Sequence, residues 1–310
     1  MGYVSVQPLA PGLDYVDLEV LGRPEIIATA VLQNPAGVAL IDPGPATTLP
    51  TLRRALGRKG IAVGDIRQLL LTHIHLDHAG AAGTLLRENP AIEVFVHARG
   101  APHIVDPAKL LASAARLYGD EMERLWGEVL PVPADRVREL KGGERIVSGG
   151  RELLVAYTPG HASHHVSYFD PSTRLAFVGD VAGIRRGAGA YVLPPTPPPD
   201  IDLEAWRAST AAILSWDPDT LFLTHFGPFH GARLHFQELM DRLQDWSAMV
   251  RRLLADMSLG DAQREQRFVD DVFRDLRRVV GDAEADRYHR AGRLDYSWQG
   301  LVRYWRTRGA

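Results

Sequence analysis

Short apolar runs punctuated by turn residues fill the first forty positions: residues 4–6, 15–20, 27–32 and 38–41, the last two separated by Asn34-Pro35-Ala36-Gly37. Runs of this length bounded by Gly, Pro and Asn read as strands, so the chain opens as an antiparallel meander that ends at Asp42-Pro43-Gly44. The period then changes. Leu49, Leu52 and Leu56 recur at three and four and predict a helix over 47–59 that closes at Gly60. Gln68-Leu69-Leu70-Leu71 predicts a buried strand, the small residues 79–84 begin a helix running to Arg87, and 92–96 forms the next strand. Strand–helix alternation after a meander argues for α/β rather than all-β.

Residues 107–130 predict a helical insertion, with Leu110, Leu111, Ala114, Leu117, Tyr118, Met122, Leu125 and Trp126 at spacings of three and four. Its place between two ligand-bearing segments makes it a candidate wall of a substrate cleft. Short strands return at 137–140, 144–147, 152–157, 165–169 and 175–178, with Gly142-Gly143, Gly149-Gly150 and Asp170-Pro171-Ser172 between them. Two sets of strands, each followed by helix, predict a four-layer αββα sandwich. Residues 183–200 are too rich in Pro and Gly for regular structure. A helix over 201–216 and a strand over 221–223 follow, and from about Gly231 the pattern is helical to the end. This divides the chain into a sandwich domain, 1–230, and a C-terminal helical extension, 231–310. In the extension Leu234, Leu239, Leu243, Trp246, Met249, Val250 and Leu253 form one apolar stripe, and Tyr296, Trp298, Leu301, Tyr304 and Trp305 an aromatic second. Such stripes are expected to pack onto the sandwich; the alternative is a homodimer contact through the terminal aromatics.

Composition narrows the partners. In 310 residues, 45% hydrophobic and 24% charged positions are ordinary for a globular protein, and a net charge of −3 gives no electrostatic case for nucleic acid. A small-molecule substrate is the expectation. With no cysteine, disulfides and thiolate ligands are both excluded, so a metal here is bound by His and carboxylate. No signal peptide or 18-residue apolar window is visible, which points to no membrane association and a cytoplasmic location.

The densest chemistry lies in Thr72-His73-Ile74-His75-Leu76-Asp77-His78-Ala79-Gly80, at a strand-to-helix turn. His73 and His75, two apart in an extended segment, point to one side, while Asp77 and His78 open the helix and point to a neighbouring position. Thr158-Pro159-Gly160-His161, Val178-Gly179-Asp180 and Leu223-Thr224-His225 each place a ligand type after an apolar strand. Asp42, at the end of its own strand, is either a turn-former or a residue reaching toward the metal loop.

In order and spacing these segments resemble the metallo-β-lactamase fold superfamily, whose five motifs are matched by Asp42; His73, His75, Asp77 and His78; His161; Asp180; and His225. The resemblance covers roughly residues 14–228. It implies that His73, His75 and His161 hold one metal, that Asp77, His78 and His225 hold a second, that Asp180 bridges them, and that Asp42 sits behind the ligands, accepting an N–H or orienting the loop. The lactamases with a Cys ligand are excluded, and the chain looks like the hydrolase branch containing hydroxyacylglutathione hydrolases and lactonases.

Two divalent ions, foremost Zn with Fe or Mn as alternatives, set against Asp77, Asp180 and a bridging hydroxide, leave about +1 at the site. The expected reaction is hydrolysis of an ester, thioester, lactone or phosphodiester, with Asp77 and Asp180 as the catalytic carboxylates. Where hydroxyacylglutathione hydrolases carry Thr and a nearby Gly after the third-motif histidine, this chain has Ala162-Ser163-His164-His165, which argues against glutathione recognition. His164 and His165 are read as pocket or strand residues, and His97, His103, His230, His235 and His289 as structural. Arg185, Arg186 and Tyr191, in the loop after Asp180, are candidate substrate contacts. The rival readings are a mononuclear iron oxidoreductase similar to persulfide dioxygenases and a non-catalytic metal-binding protein.

Overall fold

A computed structural model describes residues 6–187, 189 and 191–309. The first half runs β1 (Val6–Ala10), β2 (Leu13–Asp17), β3 (Ala28–Asn34), β4 (Gly37–Ile41), α1 (Leu49–Arg58), β5 (Ile66–Leu70), α2 (Leu76–Ala79), α3 (Ala82–Glu88), β6 (Glu93–His97), α4 (Ala101–Val105), α5 (Ala108–Tyr118), α6 (Met122–Trp126) and β7 (Val137–Leu140). These strands form one sheet in chain order, antiparallel from β1 to β4 and parallel from β4 to β7. The predicted meander is therefore present. Its first strand lies later than expected, over 6–10, and positions 4 and 5 fall outside the described residues.

The second sheet takes β8 (Arg145–Ser148), β9 (Arg151–Tyr157), β10 (Val166–Asp170), β11 (Leu175–Phe177), β12 (Thr220–Leu223) and β13 (Gly227–His230), with α7 (Leu203–Ser215) between β11 and β12. Its order is β13-β12-β11-β10-β9-β8. Four helices complete the chain: α8 (Ala232–Ala255), α9 (Asp261–Val280), α10 (Asp282–Gly292) and α11 (Leu294–Arg306).

Side chains alternate across each strand, and that alternation builds the layers. Along β4, Val38 and Leu40 pack toward the first helical layer with Leu52 and Leu56, whereas Ala39 and Ile41 pack between the sheets. The inter-sheet core joins Leu32, Ile41 and Leu70 to Leu153, Tyr168, Phe177 and Phe222. On the far face of the second sheet, Val178 and Leu221 meet Trp206, Phe236, Trp246 and Trp298 from the helices. The result is an αββα sandwich in which α8–α11 share the outer core of the second sheet.

Most of the extension's stripes are covered by this packing. Leu239, Leu243, Trp246, Val250, Trp298 and Leu301 are buried in one cluster with Met249, Leu253 and Trp305 against it. Leu234 departs from the stripe and is 60% exposed. Tyr296 and Tyr304 are buried as well, their hydroxyls donating to the Leu117 carbonyl and to Glu204. Among the described residues, no helix is long and apolar enough to cross a membrane.

Candidate metal centre

The site is built at one edge shared by both sheets. β4 and β5 run parallel with Ile41 beside Leu70, so Asp42 stands next to the start of the His-rich turn. Asp42 adopts φ 52°, a left-handed backbone that Asp tolerates better than most residues. Its carboxylate faces inward. Oδ1 accepts the Thr72 N–H at 2.8 Å, while Oδ2 accepts the Thr72 hydroxyl, the Thr224 hydroxyl and His78 Nδ1–H, each at 2.8 Å. Of the two roles open to Asp42, the fold thus places it toward the His-rich turn, and it also ties that turn to the end of β12.

The same logic holds His73, His161 and His225 from behind. His73 Nδ1 donates to Thr72 Oγ1 at 3.1 Å, because that hydroxyl spends its proton on Asp42. His161 Nδ1 donates to the Pro195 carbonyl at 2.9 Å and His225 Nδ1 to the Ile26 carbonyl at 2.6 Å. Each ring therefore turns its Nε2 lone pair inward, an orientation typical of metal ligands. His73 Nε2 and His161 Nε2 approach His75 Nδ1 at 2.9 and 3.0 Å, and one ring proton cannot satisfy both contacts. Lone pairs converging in this way favour a cation.

Asp180 enters from a tight turn after β11. Gly179 has φ 45° there, and a Cβ would lie 2.6 Å from Thr72 Oγ1 and 2.7 Å from His165 Nε2, so only Gly lets this turn come so close. Asp180 Oδ2 lies 3.4 Å from His161 Nε2, and Oδ1 lies 3.2 Å from His78 Nε2 and 3.4 Å from His225 Nε2. Asp77 Oδ2 completes the second group, 3.3 Å from His225 Nε2. Among the described residues three triads have ligand atoms within 4.8 Å of one another: His73, His75 and His161; His73, His78 and Asp180; Asp77, His78 and His225. His78 Nε2 and Asp180 Oδ1 are buried and form no hydrogen bond among the described residues. The donor set fits divalent cations of the His/carboxylate class.

Electrostatics divides the imidazoles. Burial, reinforced by His78 and other neighbouring rings, holds His73 far below the ordinary histidine range, and burial with His161 brings His75 to about 4. At His78 burial opposes charge, but Asp180, Asp42 and Asp77 outweigh it and raise the ring well above the usual range. His225 is raised against burial by Asp180 and Asp77 in the same way. Burial disfavours the charged carboxylates too, yet His78 and His225 bring Asp77 to about 2, and His225, His78 and His161 hold Asp180 well below its normal value. Protons on these rings and divalent ions would compete for the same two carboxylates.

The ligand-type residues floor a cleft of about 340 Å³. One wall is the helical insertion, through Leu110, Ala114, Leu117 and Tyr118 on α5; another is the proline run Pro197, Pro198 and Pro199. Arg185, Arg186 and Tyr191, the candidate substrate contacts, are not among the cleft's lining residues and are engaged elsewhere. Arg185 lies 3.6 Å over the Phe229 ring and pairs with Glu238 at 3.2 Å; Arg186 pairs with Glu284 at 2.8 Å; Tyr191 is fully buried, with Arg242 on its face at 3.7 Å. Their work is to fasten the loop to α8 and α10, while the later, proline-rich part of the loop forms the wall. His164 and His103, the latter read as structural, both line the cleft. His165 is buried and bonded to Thr158.

Comparison with known proteins places this geometry among relatives. The family model of the Metallo-beta-lactamase superfamily matches residues 22–225. Metallo-beta-lactamase fold-containing protein ST1585 of Sulfurisphaera tokodaii is 29% identical over 222 residues, 70% of this chain and 78% of that one. Its crystal structure superposes with a TM-score of 0.65 at 23% identity, covering 95% of this chain and 99% of the other, a likeness of fold. The probable metallo-hydrolase YqjP of Bacillus subtilis is 23% identical over 301 residues, 87% of this chain and 90% of its own. A hydroxyacylglutathione hydrolase of Legionella pneumophila is 28% identical over 152 residues, only 49% of this chain and 45% of its own.

Proposed function

Because this chain belongs to the metallo-beta-lactamase superfamily, we propose that it is a metal-dependent hydrolase with two divalent ions, zinc foremost, that cleaves an ester, thioester, lactone or phosphodiester bond of a small molecule in the cytoplasm. The observation that carries this reading is the split of Asp180, one oxygen toward His161 and the other toward His78 and His225. A carboxylate so placed can be shared by two ligand groups that would each be incomplete alone. Bound there, divalent ions would lower the pKa of water to about 7 and polarise a substrate oxygen.

The chain's own residues have separable roles. His73, His75 and His161 present one set of nitrogens, fixed by Thr72 and Pro195 from behind. Asp77, half-buried at the cleft floor, would accept the proton of the attacking water at Oδ and return it to the leaving oxygen or sulfur as the scissile bond breaks. Elemental analysis of protein purified without added metal, followed by assay on 4-nitrophenyl esters, a thioester, a lactone and bis(4-nitrophenyl) phosphate, tests the reading. About two ions per chain, and hydrolysis lost to a chelator and restored by Zn, Fe or Mn, are expected. A metal-loaded protein that hydrolyses none of these and consumes O₂ with a persulfide, holding a single iron, would make it an oxidoreductase.

A further inference from the structure

The cleft has a second chemical character away from its floor. Arg99 and His103 line it from the segment that joins β6 to α5, and Lys109 from the first turn of α5; none has a carboxylate partner among the described residues. The other charged side chains lining the cleft outside the ligand set are engaged: Arg293 pairs with Asp295, and Asp200 accepts the Ser163 hydroxyl at 2.6 Å. Arg99 is not merely adrift in solvent. Its guanidinium sits 5.6 Å over the Tyr157 ring, which stacks on His97 at 4.3 Å and whose hydroxyl donates to the Ser163 carbonyl.

His164 links this rim to the floor. It is 8% exposed, and its Nδ1 is buried without a hydrogen-bond partner among the described residues. Its ring lies parallel to His73 at 6.1 Å and on edge to His75 at 5.7 Å. On its other side it packs on Gly100, where a Cβ would come within 3.4 Å of the His164 Cβ. Its buried Nδ1 is open to a partner that the described residues do not supply. The cations Arg99 and Lys109, left unpaired beside a cleft that His103 and His164 also line, are suited to an anionic group held there by charge-assisted hydrogen bonds.

We propose that Arg99, His103, Lys109 and His164 form a subsite for an anionic group of the substrate, a carboxylate or phosphate, carried at a distance from the bond that is cleaved. Only the word substrate rests on the hydrolase reading; the subsite itself is a binding claim. It selects acyl or phosphoryl compounds with a free anionic end over neutral esters.

Calorimetric titration of the metal-loaded protein with glutarate and with phenyl phosphate tests it, alongside the double variant R99A/K109A and the single variants H164A and H164N. Saturable binding of at least one probe is expected, weakened roughly tenfold or more in the double variant at unchanged metal content. Tighter binding of glutarate assigns a carboxylate, and tighter binding of phenyl phosphate a phosphate. H164N, which keeps a donor, is expected to bind more tightly than H164A; equal affinities would remove His164 from the subsite. Wild-type affinity in the double variant, or no saturable binding of either probe by the wild type, overturns the subsite. Because hydrolysis is not read, a protein that binds these anions but cleaves nothing would fail the reaction alone.

Discussion

Asp42 Oδ2 accepts the Nδ1 proton of His78 at 2.8 Å, and both side chains are fully removed from solvent. The same oxygen takes the hydroxyls of Thr72 and Thr224, so one carboxylate fixes a candidate ligand and two strand ends together. Asp42→Ala is expected to orphan these donors, lowering stability by about 2–4 kcal/mol and metal affinity by about 10–100-fold. Thermal unfolding and competition with a chromophoric chelator read the two effects. Wild-type metal affinity in the variant would deny Asp42 its orienting role.

Asp180→Ala should reduce the bound metal from about two ions to no more than one per chain and abolish turnover, because both ligand groups lose a donor. Elemental analysis after reconstitution decides this. Two ions retained with normal turnover would sink the shared-carboxylate reading.

Away from the site, His235 sets a pH dependence. Its Nε2–H donates to the Ala182 carbonyl at 2.7 Å and its Nδ1 lies 3.4 Å from Arg185 Nη1, so the folded protein holds the ring neutral. Burial, opposed by the Ala182 contact and aided by Arg185, brings it down to about 4. In the unfolded chain it titrates near 6.5, so the unfolded state binds the extra proton first. Its contribution is fully present above about 6.5 and is lost as the pH falls toward about 4, on the order of 3 kcal/mol in all. Urea unfolding of chelated protein at several pH values should show this slope, flattened in His235→Leu. Identical slopes in the two proteins would place the ring's titration elsewhere.

Gly300→Ala tests the proline wall from behind. A Cβ at Gly300 would lie 2.0 Å from the Thr196 carbonyl oxygen and 2.9 Å from the Pro197 carbonyl carbon, both backbone atoms that cannot rotate aside. The variant is expected to lose about 1–3 kcal/mol and to shift Pro197 and Pro198, lowering kcat/KM at unchanged metal content. Stability and kinetics equal to wild type would show that α11 does not brace the cleft.

That the ligand-type histidines and aspartates would converge was legible in the sequence because each follows an apolar strand, and strand ends in layered folds gather at one edge. Asp42 stayed open between two roles because its partners, Thr72, His78 and Thr224, lie 30 to 182 positions away. Distance along the chain also explains why the partners of Arg185 and Arg186 were not legible. Proximity to Asp180 suggested the cleft, whereas the two side chains pair with Glu238 and Glu284, about fifty and a hundred positions further on. The strand β13 went unread because Gly227 and Pro228 break the usual pattern, and an edge position tolerates a proline that a central strand would not. His103 had no strand or motif to flag it; only the fold brings its helix against the cleft.

His73, His75, Asp77 and His78 come from the first sheet's edge, whereas His161, Asp180 and His225 come from the second's. Ions held between them would act as rivets across a seam between two halves of the molecule. Free metal at about a hundred times its dissociation constant adds about 2.7 kcal/mol to folding, a large share of a typical domain's margin. Scarcity of metal would then cost the protein part of its folding margin as well as its ions, and the seam is where that lost margin would be felt.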